Sequence, residues 1–386
     1  MLDEKKEAYA LQSREDVKNL LRRLCVIPAP SHHEEKRVYE VKKWMEDNGA
    51  GDVFIDSALN VIWPINVTDS NDITVIMAHT DVVFPDTGPL PFSEDEKYFH
   101  CPGVGDDTAQ LCVLLYAVKY FVINGYTPKD GLLVVANSCE EGLGNLKGSR
   151  MIVDTYGKRI KRFITVDGGV GSLCTRAVGS HRYRVTVKTE GGHSYGSFGN
   201  RNAIACLSSM ISTLYDVKVP SKEDTKTTYN VGQISGGTSV NTIAQEASML
   251  YEYRSDDREC LEKMKNMFES VVNAYRAMGI SVEVELLGER PCGGNPDPEI
   301  WDELKNMVCD AALQINGKAP KDHSGSTDAN YPLSKDIPAV CTGACRGSGT
   351  HTREEKVEIE SLYRGMRFLL LLLSNFFEEN IICEGE

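Results

Sequence analysis

The stretch Ile73-Thr74-Val75-Ile76-Met77-Ala78-His79-Thr80-Asp81 decides how the rest of the chain is read. Its apolar run, Ile73 to Ala78, is short and scarcely alternates, the pattern of a strand buried on both faces. It then stops on a histidine and an aspartate. Similar runs follow. Leu132 to Ala136 leads to Glu140-Glu141-Gly142, Phe163 to Val166 leads to Asp167-Gly168-Gly169, and Ile337 to Thr342 leads to the Gly-rich loop before His351. Helical patterns over Ala109 to Ile123, Pro298 to Ile315 and Val357 to Phe377 separate or follow these runs. Buried strands alternating with helices predict an α/β class, a sheet covered by helices. Ligands of such sheets collect beyond the carboxyl ends of the strands. Here those ends deliver carboxylates and imidazoles to one rim. Nearer the N-terminus, Ser13 with Asp16 and Ser31 with Glu34 read as capping-box helix starts.

From about Ser180 the pattern changes, because Tyr183, Val185 and Val187 alternate with Arg182, Arg184, Thr186 and Lys188, as in a half-exposed strand. The order from there is strand 182–188, helix 201–217, strands 229–234 and 246–254, helix 258–278 and strand 280–287. This is the βαββαβ order of a ferredoxin-like α+β unit. A chain of 386 residues also exceeds what one core usually serves. The expectation is a large domain from 1–179 and 292–386, with a small domain, 180–291, inserted into it.

Composition narrows the partners. A formal net charge of -14 opposes nucleic-acid binding, which needs a basic face. The charged N-terminus lacks an apolar leader, and the longest apolar run near the C-terminus, Phe368 to Leu373, is far too short for a membrane span. The 12 cysteines include no CxxC pair and read as reduced core thiols. A cytoplasmic protein with small-molecule partners, or a second copy of itself, is the expectation.

The strand ends carry the chemistry. In His79-Thr80-Asp81 the period of two puts both side chains on one side, so Asp81 can accept the far ring hydrogen of His79 and fix its tautomer. Glu140-Glu141 is a pair of neighbouring carboxylates that repel unless a cation or shared proton stabilises them. Asp106-Asp107, after the turn Gly103 to Gly105, taken alone reads as a helix cap. Together, hard carboxylates with imidazoles and no thiolate describe a Zn, Mn or Co site with open positions for water and substrate. By position His79 and His351 best fit the ligand role, whereas His32, His33, His100 and His181 read as surface or packing residues.

At this point the residues resemble the M20 family of dinuclear metallopeptidases and amidohydrolases. The matches run in order: His79-Thr80-Asp81, Gly103 to Asp107, Glu140-Glu141-Gly142, Asp167-Gly168-Gly169, Gly192-His193-Ser194, Asn241-Thr242-Ile243, Arg254, Ser326-Thr327-Asp328-Ala329 and Gly349-Thr350-His351 with Glu355. The resemblance implies a mixed-sheet dinuclear metallohydrolase domain and an inserted lid or dimerisation domain. It implies two divalent ions, zinc first and manganese or cobalt next, with Asp106 bridging them. Glu141 and His351 would complete one site, His79 and Asp167 the other. Glu140 would be the general base, Asp81 the partner of His79, and the Asp106–Asp107 peptide cis. His193, Asn241 and Arg254 match lid positions that touch substrate, and in dimeric members the equivalent of His193 reaches the partner's site. Many relatives carry Lys or Met after the bridging aspartate or its neighbour. Here Asp107-Thr108-Ala109 follows, which leaves the ligand set intact and the subfamily open.

The expected activity is amide hydrolysis in small substrates, as in an aminopeptidase-type di- or tripeptidase. An N-acyl amino acid amidohydrolase, of the deacetylase or desuccinylase type, shares the chemistry. A non-catalytic binding module on the same fold is the alternative of another class.

Overall fold

The computed structural model describes residues 2–378. The chain forms two compact units, one from residues up to Thr175 together with those from Gly294 onward, the other Arg176–Gly293.

The first unit is built on an eight-stranded sheet in the order Phe54–Ile55, Val61–Ile65, Gly131–Asn137, Ile73–His79, Ile160–Val170, Ala339–Gly343, Ser172–Ala177 and Lys321–Gly325. The middle strands, from Gly131–Asn137 to Ala339–Gly343, are parallel. Val61–Ile65 and Ser172–Ala177 flank them antiparallel, so the sheet is mixed. From Ile73–His79 the chain moves to Gly131–Asn137 on one side and then to Ile160–Val170 on the other. The winding therefore reverses between the strands that carry His79 and Asp167, the place where such sheets bind ligands.

Sequence explains the helices packed on this sheet. Ala109–Ile123 is apolar almost all round and is buried from Ala109 through Val118, packed against Ile359–Leu373. Each fully buried leucine there, such as Leu111 or Leu114, contributes roughly 1.5–3 kcal/mol relative to exposure. Asp297 caps Pro298–Asn316 by accepting from the amides of Glu299 and Ile300, with Pro298 in the first turn.

Two local expectations are corrected. Ser13 makes no capping bond to Arg14–Cys25, and the next helix, Glu35–Asp47, starts after Glu34 without a side-chain cap. Ser31 and Glu34 are turned instead toward the rim of the sheet. The strand read as Phe163 to Val166 runs through to Val170 and carries a bulge. Thr342 pairs with Val166 and Gly343 with Val170, so Asp167, Gly168 and Gly169 stand out of register. A Cβ on Gly343 would lie 2.4 Å from the Gly168 carbonyl oxygen, so the bulge needs a glycine opposite it.

The second unit has strands Gly179–Lys188, Thr227–Gly236, Glu246–Ser255 and Ser281–Arg290 in one antiparallel sheet. Numbered along the chain, these four lie in the order 2-3-1-4, the ferredoxin-like topology. Helices Ala203–Tyr215 and Arg258–Ala277 share its core with Val185, Met249, Tyr251 and Tyr253. Cross-strand ion pairs, Arg184 to Glu285 at 2.7 Å and Lys188 to Glu283 at 2.8 Å, join the exposed side chains of neighbouring strands. No helix among the described residues is long and apolar enough to cross a membrane.

Candidate active site

Three loops and two strands of the first unit converge at the rim. His79 ends its strand fully buried. Its backbone N–H donates to Asp107 Oδ2 at 2.9 Å, and its Nδ1 lies 3.0 Å from the Asp81 carbonyl oxygen and 3.4 Å from Asp81 Oδ1. With Nδ1 bonded on that side, Nε2 faces inward, 3.0 Å from Asp106 Oδ1. The other oxygen of the same carboxylate, Asp106 Oδ2, lies 3.3 Å from His351 Nε2, which is also 3.0 Å from Glu141 Oε1. One carboxylate thus faces two imidazoles through its two oxygens. Asp106 does not act as a helix cap; its φ of -117° and ψ of 90° break the helical turn there, and the Asp106–Asp107 peptide is cis.

Ligand-capable atoms gather in overlapping groups. His79, Asp106, Asp107 and Asp167 offer atoms within 4.8 Å of one another; so do Asp106, Glu141 and His351, and so do His79, Glu140 and Glu141. Asp106 is shared by the first two groups. Together they hold five carboxylates and two imidazoles.

Electrostatics follow from that crowding. Burial would raise the pKa of Asp106, but hydrogen bonds from His351 and His79 outweigh it and hold the carboxyl well below its usual range. His351 is pushed up to about 10 by Asp106 and Glu141. Burial and the Asp106 charge push Asp167 up to about 6. Burial likewise raises Asp107, whose Oδ1 is buried without a partner. Oxygen and imidazole donors arranged around a shared carboxylate, with an orphaned buried carboxylate oxygen among them, fit divalent cations of the zinc, manganese or cobalt class.

Side chains outside this donor set, of which only Gln110 escaped the sequence reading, hold these groups in place. Glu355 accepts from the amides of Gly103 at 2.9 Å, Gly105 at 2.8 Å and Asp106 at 2.9 Å, clamping the turn that carries Asp106. Burial pushes Glu355 up to about 7 in spite of those bonds. Gln110 accepts from the amides of Ala344 and Cys345 and donates to the Gly168 carbonyl, tying the bulge of Asp167 to the next strand end. A glutamine within the otherwise apolar stretch Ala109–Val118 was its signal. Asp81 accepts from the amides of Glu140 at 3.0 Å and Glu141 at 2.9 Å and from Ser31 Oγ at 2.6 Å.

His193, Asn241 and Arg254 lie in the second unit. His193 sits in the short strand Gly192–His193, paired with Thr242–Ile243. Its Nδ1 accepts from the amides of Tyr195 at 3.3 Å and Gly196 at 3.2 Å, which assigns the ring proton to Nε2. The Asn241 carbonyl accepts from the Ser194 amide at 2.9 Å, so these two segments are adjacent. Arg254 is engaged bidentately by Glu252, with both bonds at 3.0 Å.

The chain is 27% identical over 373 residues to an uncharacterised Bacillus subtilis protein, YqjE, covering 91% of this chain and 95% of that one. Aminopeptidase PepT from Bacillus cereus superposes with a TM-score of 0.71 at 23% identity, covering 93% of this chain and 97% of that one. A Staphylococcus aureus tripeptidase gives 0.75 at 20% identity, with 94% and 98% covered. Bacillus subtilis YxeP, a dinuclear metal-binding peptidase, gives 0.64 at 17%, with 94% and 98% covered. These solved structures share the fold. The profile of peptidase family M20/M25/M40 matches residues 75–375, most of the chain. An α/β sheet whose strand ends place carboxylates and imidazoles around one aspartate, in a chain matched over that span, belongs to peptidase family M20/M25/M40.

Proposed function

We propose that this chain is a two-metal aminopeptidase-type hydrolase of short peptides. The observation that carries the reading is the Asp106 carboxylate, which faces His79 through one oxygen and His351 through the other. His79, Asp167 and Asp106 would hold one ion, and Glu141, His351 and Asp106 the second. When bound, two such ions would polarise the scissile carbonyl and lower the pKa of water towards about 7.

The chain's own residues supply the rest. Glu140 takes a proton from the attacking water and passes it to the leaving nitrogen. Asp81 holds His79 in the tautomer that presents Nε2. His193, with its proton on Nε2, is a donor for the tetrahedral oxyanion, while Asn241 and Arg254 hold a substrate carboxylate. Because Arg254 is already paired with Glu252, that last role is an exchange of one carboxylate for another.

Further parts of the reading rest on separate observations. Every cysteine among the described residues is a free thiol, which supports a cytoplasmic setting. Strand Thr227–Gly236 lies at the edge of its sheet with Ile234 exposed, which supports pairing with a second copy. The net charge of -14 speaks against nucleic acid as a partner.

A substrate panel with chelation tests this reading. Tripeptides and dipeptides are expected to release free amino acids, activity to vanish on chelation, and add-back of zinc, manganese or cobalt to restore it. Acetate or succinate release from N-acyl amino acids, with the peptides untouched, would assign the amidohydrolase reading. No turnover of any member by the metal-loaded chain would favour a binding module.

A further inference from the structure

The segment that carries both Glu140 and Glu141 has an unusual hydrogen-bond account. Beyond the end of strand Gly131–Asn137, four consecutive backbone amides donate to side chains. Ser138 N–H donates to Asn60 Oδ1 at 3.2 Å, Cys139 N–H to Glu34 Oε1 at 3.0 Å, Glu140 N–H to Asp81 Oδ1 at 3.0 Å and Glu141 N–H to Asp81 Oδ2 at 2.9 Å. All four residues are buried, so water is a poor substitute for these acceptors.

Within that run Cys139 has a φ of 57°, in the left-handed region that a side chain disfavours. The turn has a purpose. In a regular strand Glu140 and Glu141 would face opposite ways, yet both offer atoms within 4.8 Å of His79. Glu34, itself fully buried, accepts from the Cys139 amide and, at 3.3 Å, from its thiol, whose sulfur also lies 3.3 Å from His32 Nδ1. Gly144 closes over the same residue: a Cβ there would lie 2.5 Å from the Cys139 carbonyl oxygen.

We propose that Glu34 is a positioning residue for the reaction, acting through the Cys139 amide to hold the left-handed turn that aims Glu140. The inference rests on the catalytic reading of Glu140 given above. Glu34 does not touch the reacting atoms. Glutamine retains an acceptor at Oε1, whereas alanine removes it and leaves a buried N–H unsatisfied. Glycine at 139 adopts the left-handed conformation without a Cβ penalty, so it reduces the need for the clamp.

The test compares the parent with Glu34→Ala, Glu34→Gln, and Glu34→Ala combined with Cys139→Gly, on a tripeptide substrate. Glu34→Ala is expected to lower kcat about 100-fold with KM changed by less than about threefold and metal content retained, as for a misaimed base. Glu34→Gln should stay within about threefold of the parent, and adding Cys139→Gly to Glu34→Ala should recover at least about tenfold. A merely structural role would not give that rescue. Amide exchange is read in parallel on the metal-loaded proteins, and Glu34→Ala should speed exchange at 139–141 by at least about tenfold.

A folded Glu34→Ala with parental kcat and parental exchange would overturn the proposal, as would loss of activity that Cys139→Gly leaves unchanged. If Glu34→Ala does not fold, Glu34→Gln decides: near-parental kcat and exchange support the clamp, and a loss as deep as that of Glu140→Ala refutes it. A parent inactive on every peptide, with exchange faster in Glu34→Ala, would sink the catalytic reading and leave the clamp standing.

Discussion

Replacing Glu140 with alanine is expected to lower kcat by roughly 10²–10⁴-fold, the range for loss of a positioned general base, while both ions stay bound. The separation follows from geometry. Asp106 meets His79 and His351 directly, and Glu141 meets His351 at 3.0 Å, so these groups form the shared donor set without Glu140. Glu140 stands beside His79 and Glu141, buried, with its amide fixed by Asp81. On the proposed reading it is the group that would handle a proton beside the bound ions. Steady-state kinetics and elemental analysis on the same preparation check both halves. Retained turnover would remove Glu140 from the mechanism, and lost metal would make it a ligand.

Asp106→Ala is expected to do the opposite, emptying both sites at once. Its two oxygens serve the two imidazoles, so a single substitution deprives each group of its shared donor. It also removes the counter-charge that keeps His351 up at about 10. Metal content should fall from about two ions per chain to less than one, with activity lost beyond add-back at ordinary metal concentrations. Asp106→Asn keeps the shape and removes the charge, so it should lose affinity while folding normally. A variant that still bound about two ions would show that Asp106 bridges nothing.

Much of this was legible because the sheet writes its chemistry at strand ends. Largely apolar runs locate the parallel strands, and the polar residues at or just beyond their ends, His79 and Glu140-Glu141, fall at the rim. The alternation of Tyr183, Val185 and Val187 located a strand buried on one face. Strands of two or three residues, such as Phe54–Ile55 or Lys356–Glu358, carry no such period and escape notice.

What stayed hidden was mostly non-local. Ser31 and Glu34 have the spacing of a capping box, yet Ser31 bonds Asp81, 50 residues away, and Glu34 bonds Cys139, 105 residues away. Spacing along a helix start cannot tell which acceptor the fold will offer. Asp167 was expected just past its strand and instead stands in a bulge, because Gly168 and Gly169 let the chain leave register opposite Gly343. The engagement of Arg254 by Glu252 could have been suspected, since residues two apart on a strand share a face.

Anomalous scattering from crystals grown with zinc or manganese tests the central claim most directly. Two peaks are expected, one on either side of the Asp106 carboxylate, the first contacted by His79 and Asp167 and the second by Glu141 and His351. A single peak, or a pair with Asp106 outside coordinating distance of either, would contradict it.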